Sequence, residues 1–333
     1  MSEFSYDFPM GFNRKYYVLY NTVCCLTSTT YGIWLAKHLK WLVEYKINWG
    51  GGYFDKAGIE AARLEGLRQL YNNNEVEGKS AICIDQATTN YYHLVCNILP
   101  DIVAINNSIE LNNIIVANES KMLKEYLQLL GIEMKLISAR GKGISIKESV
   151  LGISYPPTDS KYNHGSVCLE IKHQIEKKMS TTEATYPRKI FIERKSSNNG
   201  SQMRAVYPRE LIHKDLIKNG YTIVYLEDLR IIEQIRLFAS ADCIIAVHGA
   251  ALTNIMYAQA NSRIREIVHV NGSPSCFKDL ATRLRLANYR QVFCPGLLSD
   301  AEEEMLKQRT GNLSNNVCPL KYTYQLKEEL FSS

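Results

Sequence analysis

At 333 residues the chain exceeds one typical domain of roughly 150 residues, and its composition, 46% hydrophobic and 22% charged, lies far from the sparse, highly charged sequences that stay disordered. Thirty-nine basic against 34 acidic side chains leave a net charge of +5, which suits phosphorylated ligands or an anionic surface but is too small to argue for nucleic acid. The 9 cysteines are odd in number, sit mostly inside apolar runs and show no CxxC spacing, which predicts buried free thiols in a reducing compartment and gives no zinc site.

The N-terminus, MSEFSYDFPMGFNRK, opens acidic and polar and does not have the pattern of a secretory signal. Residues 16–36 carry no charge, but Asn21, Thr22, Thr27, Ser28, Thr29 and Thr30 dilute them. That many polar groups are costly in hydrocarbon, so a β-rich start is expected there rather than a membrane span. Further on, apolar runs alternate with helical periodicity. A strand at 79–84 is followed by a long apolar-periodic segment to 109, a strand at 113–117, an amphipathic helix at 119–131 closed by Gly131, and a strand at 134–138. The Pro-Pro and polar run over 154–165 predicts a linker, followed by a helix-like stretch to about residue 180.

The second half repeats the alternation more cleanly. Strands are predicted at 189–193, 221–226, 243–247, 265–270 and 289–293, with helices over 208–219, 229–240, after residue 250, and over 276–287. Two terminal helices close the chain. The alternation implies parallel sheets with crossovers, and hence two α/β domains, each a doubly wound parallel sheet, facing a central cleft. Their expected bounds are residues 1–180 for the first domain, 181–295 for the second, and 296–333 for C-terminal helices packing back on the first domain. In such a fold the ligand lies at the carboxyl ends of the strands.

The run IIAVHGAALTN, 244–254, leaves an apolar strand through His248 and Gly249 into what reads as a helix start. It is either a tight strand-to-helix turn with a histidine bonding the next loop, or a phosphate loop. In the second reading Gly249 admits a ligand to the backbone, Ala250 and Ala251 keep the approach narrow, and Thr253 and Asn254 offer side-chain hydrogen bonds. Three residues in the same half favour the second reading. FIERKSSNNGSQMR ends a strand and places Arg194 and Arg204 about a polar, glycine-bearing loop, and guanidinium groups grip diphosphates bidentately. Glu266, in the next strand, is placed to hydrogen-bond ribose hydroxyls. In the first half, His93 opens the long helix just past Asp85, a position suited to a general base. The chain has no Asp-x-Asp pair, no Gly-x-Gly-x-x-Gly, no Gly-x-Ser-x-Gly and no Walker loop, which argues against metal-clamped, dehydrogenase, hydrolase and P-loop chemistries.

In order, NYYHLVCNILPDI, KIFIERKSSNNGSQMR, EDLRIIEQIRLFASADCIIAVHGAALTN and REIVHV resemble glycosyltransferase family 61. The resemblance spans about residues 80–290 and is most specific over 188–270. It implies a GT-B-like pair of Rossmann-like domains and an inverting, metal-independent transferase that moves a hexosyl, N-acetylhexosaminyl or pentosyl group. The donor would be a UDP-sugar, the acceptor a hydroxyl of a glycan, glycolipid or other glycoconjugate such as a surface polysaccharide, with no cofactor. On that resemblance Arg194 and Arg204 hold the diphosphate. His248, Gly249, Ala250 and the turn through Ala251, Thr253 and Asn254 border phosphates and sugar, and Glu266 faces the nucleoside. His93 matches the family's helix histidine and is read as the base, with Asp85 second. Pro208 and Arg209 replace a usual Asn-Glu pair, and Leu94, Asn97 and Asp101 depart from the family's helix pattern. A cytoplasmic protein is expected, with peripheral contact at the inner face of the membrane left open, and the alternative is a nucleotide-binding protein of the same fold without activity.

Overall fold

The computed structural model describes residues 2–8, 12–26, 31–35, 40–45, 68, 73–83, 90–116, 118–139, 143–152, 164–179, 184–195, 205–271, 275–310 and 319–331. The chain divides into two compact units, residues 1–179 and 180–333.

In the first unit the strands are β1 (Ser2–Phe8), β2 (Phe12–Leu26), β3 (Tyr31–Leu35), β4 (Lys40–Tyr45), β5 (Asn73–Cys83), β6 (Asn113–Val116), β7 (Lys135–Ser138) and β8 (Gly143–Gly152). They form one sheet in the order β4-β3-β2-β8-β5-β6-β7, with β1 added to β2. The run β8-β5-β6-β7 is parallel, whereas β1 to β4 and the junction of β2 with β8 are antiparallel. A doubly wound parallel sheet throughout residues 1–180 is thus corrected to a mixed sheet. Residues 27–30 and 36–39, between β2, β3 and β4, are too few to carry a crossover, so those strands must return antiparallel. The β-rich start is seen, and no helix among the described residues is long and apolar enough to cross a membrane.

The helices of this unit form where the periodicity predicts them. α1 comprises Tyr91–His93, a π-helical stretch Leu94–Ile98 and Leu99–Ser108, and Asn90 caps it by accepting the N–H of Tyr92 at 3.0 Å. α2 (Lys121–Leu130) starts where Ser120 accepts the N–H of Leu123 and buries Leu123, Tyr126, Leu127 and Leu130 as one stripe. Gly131 ends it with φ 61, a left-handed residue in the usual C-terminal place. α3 (His164–Lys178) reaches back through Lys178, whose ammonium donates to the Leu130 carbonyl at the negative end of α2. Of the linker expected over 154–165, residues 154–163 lie outside the described residues and 164–165 open α3.

The second unit holds β9 (Lys189–Glu193), β10 (Val206–Tyr207), β11 (Thr222–Tyr225), β12 (Cys243–Val247), β13 (Arg263–His269), β14 (Tyr289–Cys294) and β15 (Leu320–Lys321). Its main sheet is wholly parallel in the order β11-β9-β12-β13-β14. Numbered within this sheet the order is 2-1-3-4-5, which reverses direction between β9 and β12, and ligands of open α/β sheets bind outside the carboxyl ends at that switch. One face carries Phe191, Ile245, Val247, Ile267 and Val292, which pack with Ile212 and Leu216 of α4 (Arg209–Lys218) and with Leu326 and Leu330 of α8 (Tyr324–Phe331). Between the strands run α5 (Ile231–Ser240), the 3-10 helix Ala250–Tyr257 and α6 (Cys276–Arg283), and α7 (Asp300–Thr310) follows β14.

The terminal segment, expected to pack back on the first domain, is built into the second unit. β15 pairs with β10, Leu326 and Leu330 are fully buried in this unit's core, and Arg263 donates to the Leu330 carbonyl at 3.0 Å. The reason lies in its stripe of apolar side chains, which complete a sheet face that α4 alone leaves open.

Candidate active site

β9 and β12, the strands flanking the switch, lead into Arg194 and into His248 with the turn that follows it. β12 is buried from Ile244 onward, and the backbone of His248 stays aligned with the sheet through its N–H to Ile267 O at 3.0 Å. The chain then turns at Gly249, whose backbone is extended and would accept any residue. The absence of a side chain matters for another reason. A Cβ at Gly249 would lie 2.8 Å from Cζ of Arg194 and closer still to its Nη2. The guanidinium of Arg194 therefore rests directly on the backbone of the turn.

Arg194 is half-buried, and burial lowers its pKa from the ordinary arginine value, an effect opposed by the charges of Glu227 and Glu193. Among the described residues no carboxylate comes within ion-pair distance of its guanidinium. A partly shielded cation at the switch point of a parallel sheet, with no ion-pair partner among the described residues, can seat an anion.

His248 is held from behind. Its Nδ1 lies 2.5 Å from Oε1 of Glu266, and its ring packs on Phe277 with centroids 5.1 Å apart. Glu266 has no exposed surface; its other oxygen accepts from Gln291 Nε2 at 2.8 Å and from the hydroxyl of Tyr289. Three donors thus converge on one carboxylate. Burial and the charge of Glu266 push the Tyr289 phenol far up, which keeps it a donor, and push the Cys276 thiol up to about 12. A carboxylate accepts only, so Nδ1 of His248 carries a proton and Nε2 is the ring nitrogen left to act on a ligand. Glu266, expected to face a ribose, has both oxygens engaged within the unit, one of them by His248.

The turn after Gly249 is a 3-10 helix rather than the α-helix expected, with Leu252 N–H bonded to Gly249 O at 2.9 Å. Asn254 is fully buried and donates to Gln234 Oε1 at 3.1 Å and to the Ala251 carbonyl at 3.3 Å. Gln234 on α5 in turn donates to the carbonyls of Leu226 and Leu229 at 3.0 and 3.1 Å. Asn254 therefore shapes the turn from inside. Thr253 is 1% exposed and its hydroxyl has no hydrogen-bond partner among the described residues, while Ala250 and Ala251 are half-buried.

The structure brings together Arg194, Gly249, His248 and Glu266 in the second unit. Arg204 and Asp85 lie outside the described residues. His93 belongs to the first unit, where its Nδ1 lies 3.2 Å from Asn97 Nδ2 and its ring meets Tyr92 edge-on. Among the described residues no group of three or more His, Cys, Asp or Glu side chains gathers as a metal site would. Sequence reasoning missed Gln234, Tyr289, Gln291, and the pair of Glu193 and His213. Polar residues alternating with apolar ones in β14, and an acid closing the apolar run of β9, were the available signals.

The family model described as Glycosyltransferase 61 matches residues 91–265, more than half of the chain. The chain belongs to this family. It is a glycosyltransferase, and the matched segment contains β9, β12 and the whole turn through Asn254. Among solved structures the chain is similar to the iron-containing dodecameric glycosyltransferase TibC of enterotoxigenic E. coli, at 10% identity and a TM-score of 0.34, over 80% of this chain and 77% of that one. No curated protein matches the sequence significantly.

Proposed function

We propose that this glycosyltransferase transfers a sugar from a UDP-sugar to a hydroxyl of a glycan or glycoconjugate, with inversion and without a resident metal. One observation carries the reading: the half-buried guanidinium of Arg194, without an ion-pair partner among the described residues, is seated on Gly249 at the switch point, next to His248. As the bond from the anomeric carbon to the diphosphate breaks, negative charge collects on the leaving nucleotide. A guanidinium takes up that charge through paired N–H bonds in a site partly shielded from water, where such contacts are strong. His248, its Nδ1–H bonded to Glu266, directs Nε2 to the same anion or to a sugar hydroxyl. The acceptor hydroxyl attacks the opposite side of the anomeric carbon and gives its proton to His93, with Asp85 the second candidate. Arg204 adds a second guanidinium to the diphosphate.

Replacement of Arg194 by Ala tests this. UDP binding, followed as a rise in melting temperature against GDP and CMP controls, is expected in the native protein and strongly weakened in Arg194→Ala. Transfer from a competent UDP-sugar falls by about 100-fold or more. Unchanged turnover in the variant would sink the assignment.

A further inference from the structure

β9 ends on an acid where its pattern asks for an apolar residue. Ile190, Phe191 and Ile192 are buried, and Glu193, level with Tyr225 in the register, is only 3% exposed. Withdrawing a carboxylate from water costs on the order of several kcal/mol unless its oxygens are satisfied. Here both are. Oε1 accepts the backbone N–H of Arg194 at 2.8 Å, and Oε2 lies 3.0 Å from Nε2 of His213 on α4. His213 is set in turn by the edge of its ring against Phe191, with centroids 6.2 Å apart.

The N–H that Glu193 engages belongs to the first residue beyond the sheet. The pairing of β9 with β11 ends at Glu193, and with β12 at Ile192. The main chain therefore leaves the strand on a side-chain hydrogen bond, at the residue whose guanidinium lies on Gly249. We propose that Glu193, braced by His213, is the positioning residue for Arg194: it sets the direction in which the chain leaves β9 and hence the seat of the guanidinium. Its charge also offsets part of the burial effect on Arg194. The inference rests on the reading that Arg194 binds the donor diphosphate.

The test measures UDP affinity by calorimetry, with donor KM, kcat and melting temperature, for Glu193→Ala, Glu193→Gln, Arg194→Ala and the Glu193→Ala/Arg194→Ala double variant. Glu193→Ala is expected to weaken UDP binding about tenfold in a protein that still melts cooperatively, the scale of one lost charge-assisted hydrogen bond. Glu193→Gln, whose amide oxygen can still accept the Arg194 N–H, recovers most of that loss. In the Arg194→Ala background Glu193→Ala has no further effect on affinity. A merely structural Glu193 would lower the melting temperature and leave affinity unchanged, or lower affinity equally with and without Arg194, and either result overturns the proposal. Should Glu193→Ala not fold, His213→Phe makes the same comparison from the other partner, since it keeps the ring against Phe191 and removes the nitrogen; donor KM then rises more than kcat falls, and an unchanged KM overturns the proposal. A wild type that binds no UDP defeats the donor reading and this inference with it, whereas one that binds UDP through Arg194 without regard to Glu193 defeats this inference alone.

Discussion

Arg194 and Gly249 are complementary: the guanidinium of one fills the space that a side chain on the other would need. Gly249→Ala meets the far end of a flexible side chain, and the extended backbone at 249 accepts alanine. The variant is therefore expected to keep its stability within about 1 kcal/mol while Arg194 is pushed off its seat. UDP affinity should fall about tenfold or more, read by calorimetry beside a thermal melt. Full affinity in Gly249→Ala would show that the anion does not use this seat.

The pairing of His248 with Glu266 makes a different prediction. Glu266→Gln places an amide among three donors, so either an N–H faces another N–H or O–H or His248 is forced into its other tautomer. A buried mismatch of this kind costs about 1–3 kcal/mol. Melting temperature should drop, and donor KM should rise because His248 loses the acceptor that holds its ring. Tyr289→Phe removes one donor and leaves the carboxylate with two, so its loss in the same assays should be smaller. Equal effects of the two changes would argue that Glu266 merely fills space.

Much of the second unit was legible in the sequence because buried parallel strands read as short apolar runs, and KIFIE, CIIAV and REIVHV are such runs. The order of those strands was not, since adjacency in a parallel sheet is set by crossovers and leaves no mark in local pattern. That order is what puts Arg194 beside Gly249. The same gap explains Glu266. Sequence spacing gave two separate ligand contacts, whereas the register that pairs Ala246 with Glu266 brings the acid to His248. In the first unit β5 starts at Asn73, in a polar stretch, and β8 alternates Ile144 and Ile146 with polar neighbours, so an apolar-run reading found only the end of one and none of the other.

Acid should loosen the end of the chain. Asp215 on α4 accepts from Lys327 Nζ at 3.0 Å and from the Tyr322 hydroxyl at 2.8 Å, and these bonds hold its carboxyl below the ordinary value of 3.8. A carboxyl whose pKa is depressed by folding stabilises the native state above its unfolded pKa, and that stability fades as pH falls through the lower, folded value. The difference in melting temperature between wild type and Asp215→Asn should therefore be constant above about pH 5 and shrink below pH 3.8. A difference that grows on acidification would contradict the pairing.

The last helix offers the clearest separation of packing from chemistry. Leu326 is fully buried in the same cluster as Phe191, Ile245 and Ile267, on the face of the sheet that also carries Glu193. Leu326→Ala leaves a cavity there and is expected to cost about 2–5 kcal/mol. The loss should fall on the second unit. Amide exchange over 189–193 and 263–269 should quicken, with 113–116 and 135–138 of the first unit keeping their protection. Nothing in the substitution touches Arg194, Gly249 or His248, so UDP affinity of the folded protein should stay within about twofold at a temperature well below its melting point. A Leu326→Ala protein that melts as wild type would mean that the helix is not part of this core.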